Sequence, residues 1–161
     1  MLFVLIRAVT YAAVFIGLVL VYLPSAVLTR TGVTGPARLG PWQVAGLVIT
    51  TAGAALVLWC IASFVVLGRG TPAPFDPPRQ LVVRGPYRHV RNPMYLGAGL
   101  ALAGAALFYK TFVLAAYAGA FLVVLHLFVV LYEEPTLRHL FGGAYDAYCR
   151  SVPRWRPKIL P

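Results

Sequence analysis

The stretch MYLGAGLALAGAALFYKTFVLAAYAGAFLVVLHLFVVLYEE, residues 94–134, decides the fold. Lys110 alone separates two apolar runs, about 94–109 and 111–132, and twin glutamates close the second. A helix needs about 20 mostly apolar residues to cross ~30 Å of hydrocarbon. The two runs are therefore predicted to form a tight hairpin of membrane helices. Two further apolar stretches precede them, about 2–23, interrupted only by Arg7, and about 42–67. The single domain, 1–161, reads as all-α and polytopic, with four transmembrane helices.

Composition agrees. Of 161 residues 60% are hydrophobic and 11% charged, whereas soluble domains carry about 25% charged residues. This excludes a disordered chain, a disulfide-stapled mini-protein and a soluble enzyme. The first run is longer than the ~7–15 apolar residues of a signal-peptide core, and reads as a retained anchor. Cys60 lies in a span and Cys149 in the tail, so they are not expected to pair. Two thiols without clustered histidines do not make a metal site.

The charge is lopsided. Lys+Arg number 14 against 4 Asp+Glu, a net +10. Ten of the cations fall in the connection 68–93 (Arg69, Arg79, Arg84, Arg88, Arg91) and the tail 133–161 (Arg138, Arg150, Arg154, Arg156, Lys158). Three, Arg30, Arg38 and Lys110, fall on the other side. This bias predicts that both termini and the 68–93 connection are cytoplasmic, facing anionic lipid rather than nucleic acid.

The polar residues gather in two segments, LVVRGPYRHVRNPMY at 81–95 and EEPTLRHLFGGAYDAYCRSVPRWRPK at 133–158. They sit at the two ends of the hairpin on one side, and are expected to meet. Gly85-Pro86 marks a turn. Asn92 suits an N-cap and Pro93 the first helical position. That places a helix N-terminus among Arg84, Arg88, His89 and Arg91, where an anion is favoured. Glu133 and Glu134 oppose the dipole of the helix they end and stand beside hydrocarbon, where charge is costly. They call for a positive partner, an arginine such as Arg91 or Arg138, or a cationic ligand. Pro135 disfavours helix at Glu134. Beyond it, Leu137, Leu140, Phe141, Ala144, Tyr145 and Tyr148 predict an amphipathic interfacial helix, with Asp146 and Arg150 spaced to pair. Gly142-Gly143 weakens that helix or admits a ligand. Trp155 reads as an interfacial anchor. His126 shares a face with Glu133, and a neighbouring hydroxyl or carbonyl is its expected partner. In the third span the small residues Gly97, Gly99, Ala101, Ala103, Gly104 and Ala105 are assigned to packing against the fourth, with room for a flat ligand as a compatible second reading.

With Gly85-Pro86-Tyr87-Arg88-His89-Val90-Arg91-Asn92-Pro93-Met94-Tyr95-Leu96-Gly97, then Glu133-Glu134, then Leu137, Phe141-Gly142, Tyr145, Tyr148 and Val152-Pro153, the chain resembles the isoprenylcysteine carboxyl methyltransferases and the related phospholipid methyltransferases. It has Asn92 where the eukaryotic enzymes usually have histidine. The resemblance implies S-adenosylmethionine as cofactor, held between the last two spans by Tyr87, His89, Arg91, Asn92, Pro93, Tyr95, Gly97, Glu133 and Glu134. Arg91, Glu134 and His89 are the candidates for catalysis. The physical reading is compatible: Arg91 and a helix N-terminus suit the cofactor's carboxylate, a glutamate suits its cationic end, and Tyr87 and Tyr95 offer aromatic faces. No glycine-rich dinucleotide loop is present. The implied acceptor is lipophilic, drawn from the bilayer, with a carboxylate favoured and a phospholipid amine or small thiol as alternatives. An NADPH-dependent sterol-reductase-like enzyme and a non-enzymatic membrane subunit are the readings from other classes.

Overall fold

A computed structural model describes residues 2–68 and 80–158, so Arg69 and Arg79 lie outside the described residues. Helix α1 (Leu2–Phe15) runs through a wide π-helical turn, Ile16–Tyr22, into α2 (Leu23–Thr31). Helix α3 (Pro41–Ser63) ends in a second wide turn, Phe64–Gly68. A 3-10 turn, Gly85–Arg88, leads into α4 (Pro93–Tyr109). Helix α5 (Phe112–Phe128) passes through a third wide turn, Val129–Glu133, into α6 (Glu134–Phe141), and α7 (Gly143–Ser151) follows. Among the described residues, three helices are long and apolar enough to cross a membrane: Val9–Thr31, Pro41–Leu67 and Phe112–Phe141. Helix α4, with 17 residues, is about 25 Å long and packs between α3 and α5. The protein is an all-α, multi-pass membrane protein.

Two predicted helix ends are corrected. The first helix does not stop near residue 23 but continues through Pro24 to Gly32, whose φ of +67° ends it. The fourth does not stop before Pro135: Glu134 is helical at φ −64°, ψ −44°. In both places a π-helical turn immediately precedes the proline-bearing segment. A proline ring clashes with the carbonyl four residues back and offers it no N–H. A local change of winding is one way for a helix to re-route those bonds and continue. The C-terminal amphipathic helix is in turn two helices, α6 and α7, broken where Gly142 takes φ +51°. Gly142-Gly143 thus does interrupt the helix, the first of the two roles offered for it.

The hairpin is as tight as expected. Lys110 closes α4 in the left-handed region at φ +51°. Thr111 caps α5, its Oγ1 accepting from Val113 N at 3.3 Å.

Small residues bring α4 against α3 rather than mainly against α5. A Cβ on Gly53 would lie 2.5 Å from the carbonyl oxygen of Gly97, and one on Gly104 would lie 2.5 Å from Thr50 N. Thr50 Oγ1 donates across the same seam to Ala101 O at 3.2 Å. Gly99 is the one glycine of α4 that faces α5, against Leu122. The reason lies in the partners: α3 has its own glycines, Gly46 and Gly53, that meet those of α4 backbone to backbone. Where apolar burial gives no net drive, such close approach is a main source of helix association.

Gly53→Val is expected to destabilise the detergent-solubilised protein by about 1–3 kcal/mol. Gly119→Ala, where nothing lies within 4 Å, is expected to leave the melting temperature unchanged.

Candidate active site

The two polar segments meet. The junction is built around Glu134, a carboxylate whose side chain is only 9% exposed. Arg91, from the segment entering α4, places Nη1 3.0 Å from Glu134 Oε1. Arg154, from the tail, grips both oxygens: Nε to Oε1 at 2.6 Å and Nη2 to Oε2 at 2.9 Å. Bidentate guanidinium–carboxylate pairs are among the strongest charge-assisted hydrogen bonds. The bond to Glu134 holds Arg154 above its ordinary range. Arg91 Nη1 also donates to Cys149 Sγ at 2.7 Å. Its Nε is buried and has no partner among the described residues.

Glu133 is turned to different company. Tyr95 Oη donates to its Oε2 at 2.8 Å. Tyr95 is buried and reaches down from the first turn of α4. The adjacent acids therefore differ in kind: Glu134 is locked between two guanidinium groups, and Glu133 is oriented by a phenol.

The tail is laced onto the segment before α4. Arg91 N donates to Pro153 O at 3.0 Å and Lys158 N to His89 O at 2.7 Å. Asn92 Nδ2 donates to Arg154 O at 3.2 Å. Asn92 stands at the N-cap position as expected, but its side chain makes no capping bond; it holds the tail instead. His89 is used in the same way, its Nδ1 3.1 Å from Lys158 O. Trp155 fastens the strap to α5: its Nε1 donates to His126 Nδ1 at 3.0 Å. The partner of His126 is thus an indole, neither the hydroxyl nor the carbonyl expected. Helix α7 seats its apolar face beneath this strap, where Tyr145, Tyr148 and Val152 pack with Leu81, Leu137 and Phe141. Tyr148 Oη donates to Tyr87 O at 2.6 Å.

Several predicted site residues face elsewhere. Tyr87 is buried against Phe64, ring centroids 5.3 Å apart, and packs with Cys60. The φ of +61° at Gly85 begins the turn that sends it there. Gly97 faces Gly53 and Val57 of α3. Pro93 starts α4 as predicted and is fully buried. Asp146 pairs with Arg138 at 2.9 Å, not with Arg150, so Arg138 acts on Glu134 through its charge while its direct ion pair is with Asp146. Cys60 and Cys149 are both free thiols. Sequence reasoning counted Arg154 only as one tail charge among five. The signal that could have found it is its place directly after Val152-Pro153, the last matching residues of the resemblance.

An apolar chamber of about 680 Å³ adjoins the junction. It lies between α1, α3 and α5, with Phe15, Val57, Ile61 and Phe128 in its walls together with Met94 and Tyr95 from the first turn of α4. A second cavity, of about 790 Å³, opens between α4 and α5 around Lys110. That is the far end of the hairpin, away from the acids, whereas the first cavity reaches Tyr95, the partner of Glu133.

A family model for phospholipid methyltransferases matches residues 42–144. The chain belongs to the phospholipid methyltransferase family. It is accordingly a membrane methyltransferase that uses S-adenosylmethionine. No curated protein and no solved structure matches it. The residues at the junction of this methyltransferase fit that cofactor. The unpartnered buried Nε of Arg91 suits its carboxylate. Glu133, held by a phenol rather than gripped by the two arginines, suits its cationic groups.

Burial, first of all, pushes the Tyr148 phenol above its ordinary value, as it does those of Tyr87 and Tyr145. The folded chain thus favours the neutral form. The stability this gives is complete below about pH 10, the unfolded value, and is lost as pH rises toward the folded one. The melting temperature is expected to fall above about pH 10. Tyr148→Phe is expected to cost about 1 kcal/mol and to make that fall shallower.

Proposed function

We propose that this methyltransferase acts on a lipid-type acceptor drawn from the bilayer into the chamber between α1, α3 and α5. The observation that carries the reading is continuity. The apolar chamber has Tyr95 in its wall, and the same Tyr95 holds Glu133. A hydrocarbon tail and a reacting headgroup can thus be accommodated at once. In this reading the chain crosses the membrane four times, with α4 as the third crossing, and both termini are cytoplasmic. The hydrogen bonds between tail and 81–92 segment support a common side for these two regions.

S-adenosylmethionine supplies an electrophilic methyl group when bound. The chain's residues do the rest. Arg91 and the N-terminus of α4 bind the anionic end of the cofactor. Glu133 faces its cationic end. Tyr95 orients Glu133, and the strap from Val152 to Lys158 shields the junction from water, which strengthens each of these interactions. His89 and Asn92 act by holding that strap.

Two acceptor classes follow. A lipid amine is favoured by Glu133, whose carboxylate is placed to take the proton that an amine must shed. The family's description as phospholipid methyltransferases supports the same choice. A prenylcysteine-type carboxylate, the class the sequence resemblance favours, suits the apolar chamber and needs no base, but would face repulsion from Glu133.

Purified protein is expected to be stabilised by S-adenosylhomocysteine and not by NADPH in thermal-shift measurements. Glu133→Gln and Arg91→Ala are each expected to weaken that binding about tenfold or more while the proteins remain folded. Normal binding by both variants contradicts the site assignment. Transfer of labelled methyl to phosphatidylethanolamine vesicles, but not to a prenylcysteine analogue, is expected for the amine reading. The reverse outcome selects the carboxylate.

A further inference from the structure

Arg154 touches nothing in the chamber, yet it is the residue that closes the charge arrangement. It lies beyond the 42–144 segment that matches the family. Arg91 and Arg154 compete for one carboxylate, and they share it unequally. Arg154 engages both oxygens of Glu134 through two nitrogens. Arg91 reaches Oε1 only, through Nη1, and leaves Nε buried and unpartnered.

We infer that Arg154 is a positioning residue: by saturating Glu134 it keeps the donors of Arg91 available for the carboxylate of the cofactor. The inference rests on the reading that Arg91 binds that carboxylate. The argument is geometric. Glu134 is a buried anion beside hydrocarbon, and a buried anion takes every strong donor within reach. Two arginines serve it from different segments, one from the tail and one from the entrance to α4. With Arg154 in place, the carboxylate's two oxygens are occupied and Arg91 makes one lateral contact. Without Arg154, Glu134 has a single guanidinium to neutralise it. The best arrangement for that pair is the bidentate one, which consumes the donors that a ligand anion needs. Asn92 supports the device by holding the Arg154 carbonyl at 3.2 Å, and Trp155 by anchoring the next residue to His126. Glu134 is then a counter-ion for the arginines, not a base.

The test compares two nucleosides in calorimetric binding to the full chain in detergent. S-adenosylhomocysteine carries the amino-acid carboxylate, and methylthioadenosine lacks it. Arg154→Gln is expected to weaken S-adenosylhomocysteine about tenfold or more and to leave methylthioadenosine unchanged. Arg154→Lys, which restores one contact to Glu134, is expected to recover part of the loss. The double variant Glu134→Gln with Arg154→Gln is expected to recover most of it, because the competitor for Arg91 has lost its charge. Wild-type affinity for S-adenosylhomocysteine in Arg154→Gln overturns the inference. So does an equal loss of both nucleosides, which marks a merely structural role. If Arg154→Gln does not fold, Arg154→Lys and the double variant decide by the same comparison. Arg91→Ala separates the two levels: normal S-adenosylhomocysteine binding there removes the underlying reading, whereas loss there beside an unaffected Arg154→Gln removes only this inference.

Discussion

A carboxylate at the edge of hydrocarbon has to be neutralised, and Glu134 is neutralised by guanidinium groups from two separate segments. That requirement organises the whole polar side of the molecule. An unpaired charge there costs several kcal/mol. Arg91 can reach Glu134 only if α4 begins beside the end of the α5–α6 helix, and Arg154 only if the tail folds back across both. The backbone bonds from Arg91 to Pro153 and from Lys158 to His89 follow from that geometry and then reinforce it.

The bundle beneath supplies the rigidity this needs. Helix α4 is short, and its backbone is pressed against that of α3 at Gly53 and Gly104. Its first turn, which presents Tyr95, is therefore fixed in depth. The opposing helix reaches the junction because Val129–Glu133 winds as a π-turn ahead of Pro135. The helix continues, so the adjacent acids project from one unbroken element in two directions: Glu134 to the arginines, Glu133 to Tyr95.

Much of this was legible in the sequence. Apolar run lengths and the lone Lys110 gave the hairpin, and the crowding of charge into 81–95 and 133–158 showed that those segments belong together. Arg91, Tyr95, Glu133 and Glu134 are indeed brought to one place. What escaped was whatever depends on a partner chosen in three dimensions. Asn92 has the chemistry of a cap, but the tail's carbonyl is within its reach and takes the side chain instead. The small residues of α4 fit either neighbour equally well on paper; the matching glycines of α3 decide it. Pro24 and Pro135 break a regular α-helix locally, but local rules do not show that a wider turn can carry the chain past them. Arg154 looked like any tail cation, because its meaning comes entirely from the carboxylate it meets 20 residues away.

The central claim is that one zwitterionic, sulfonium-bearing molecule occupies the space between Arg91 and Glu133 while Arg154 stays on Glu134. The most direct measurement is an experimental structure of the protein in lipid nanodiscs with S-adenosylhomocysteine bound. The account requires the ligand's carboxylate on Arg91, its ammonium toward Glu133, and an intact Arg154–Glu134 pair. A ligand seated elsewhere in the bundle, or a Glu134 released from Arg154 to contact it, would contradict the account.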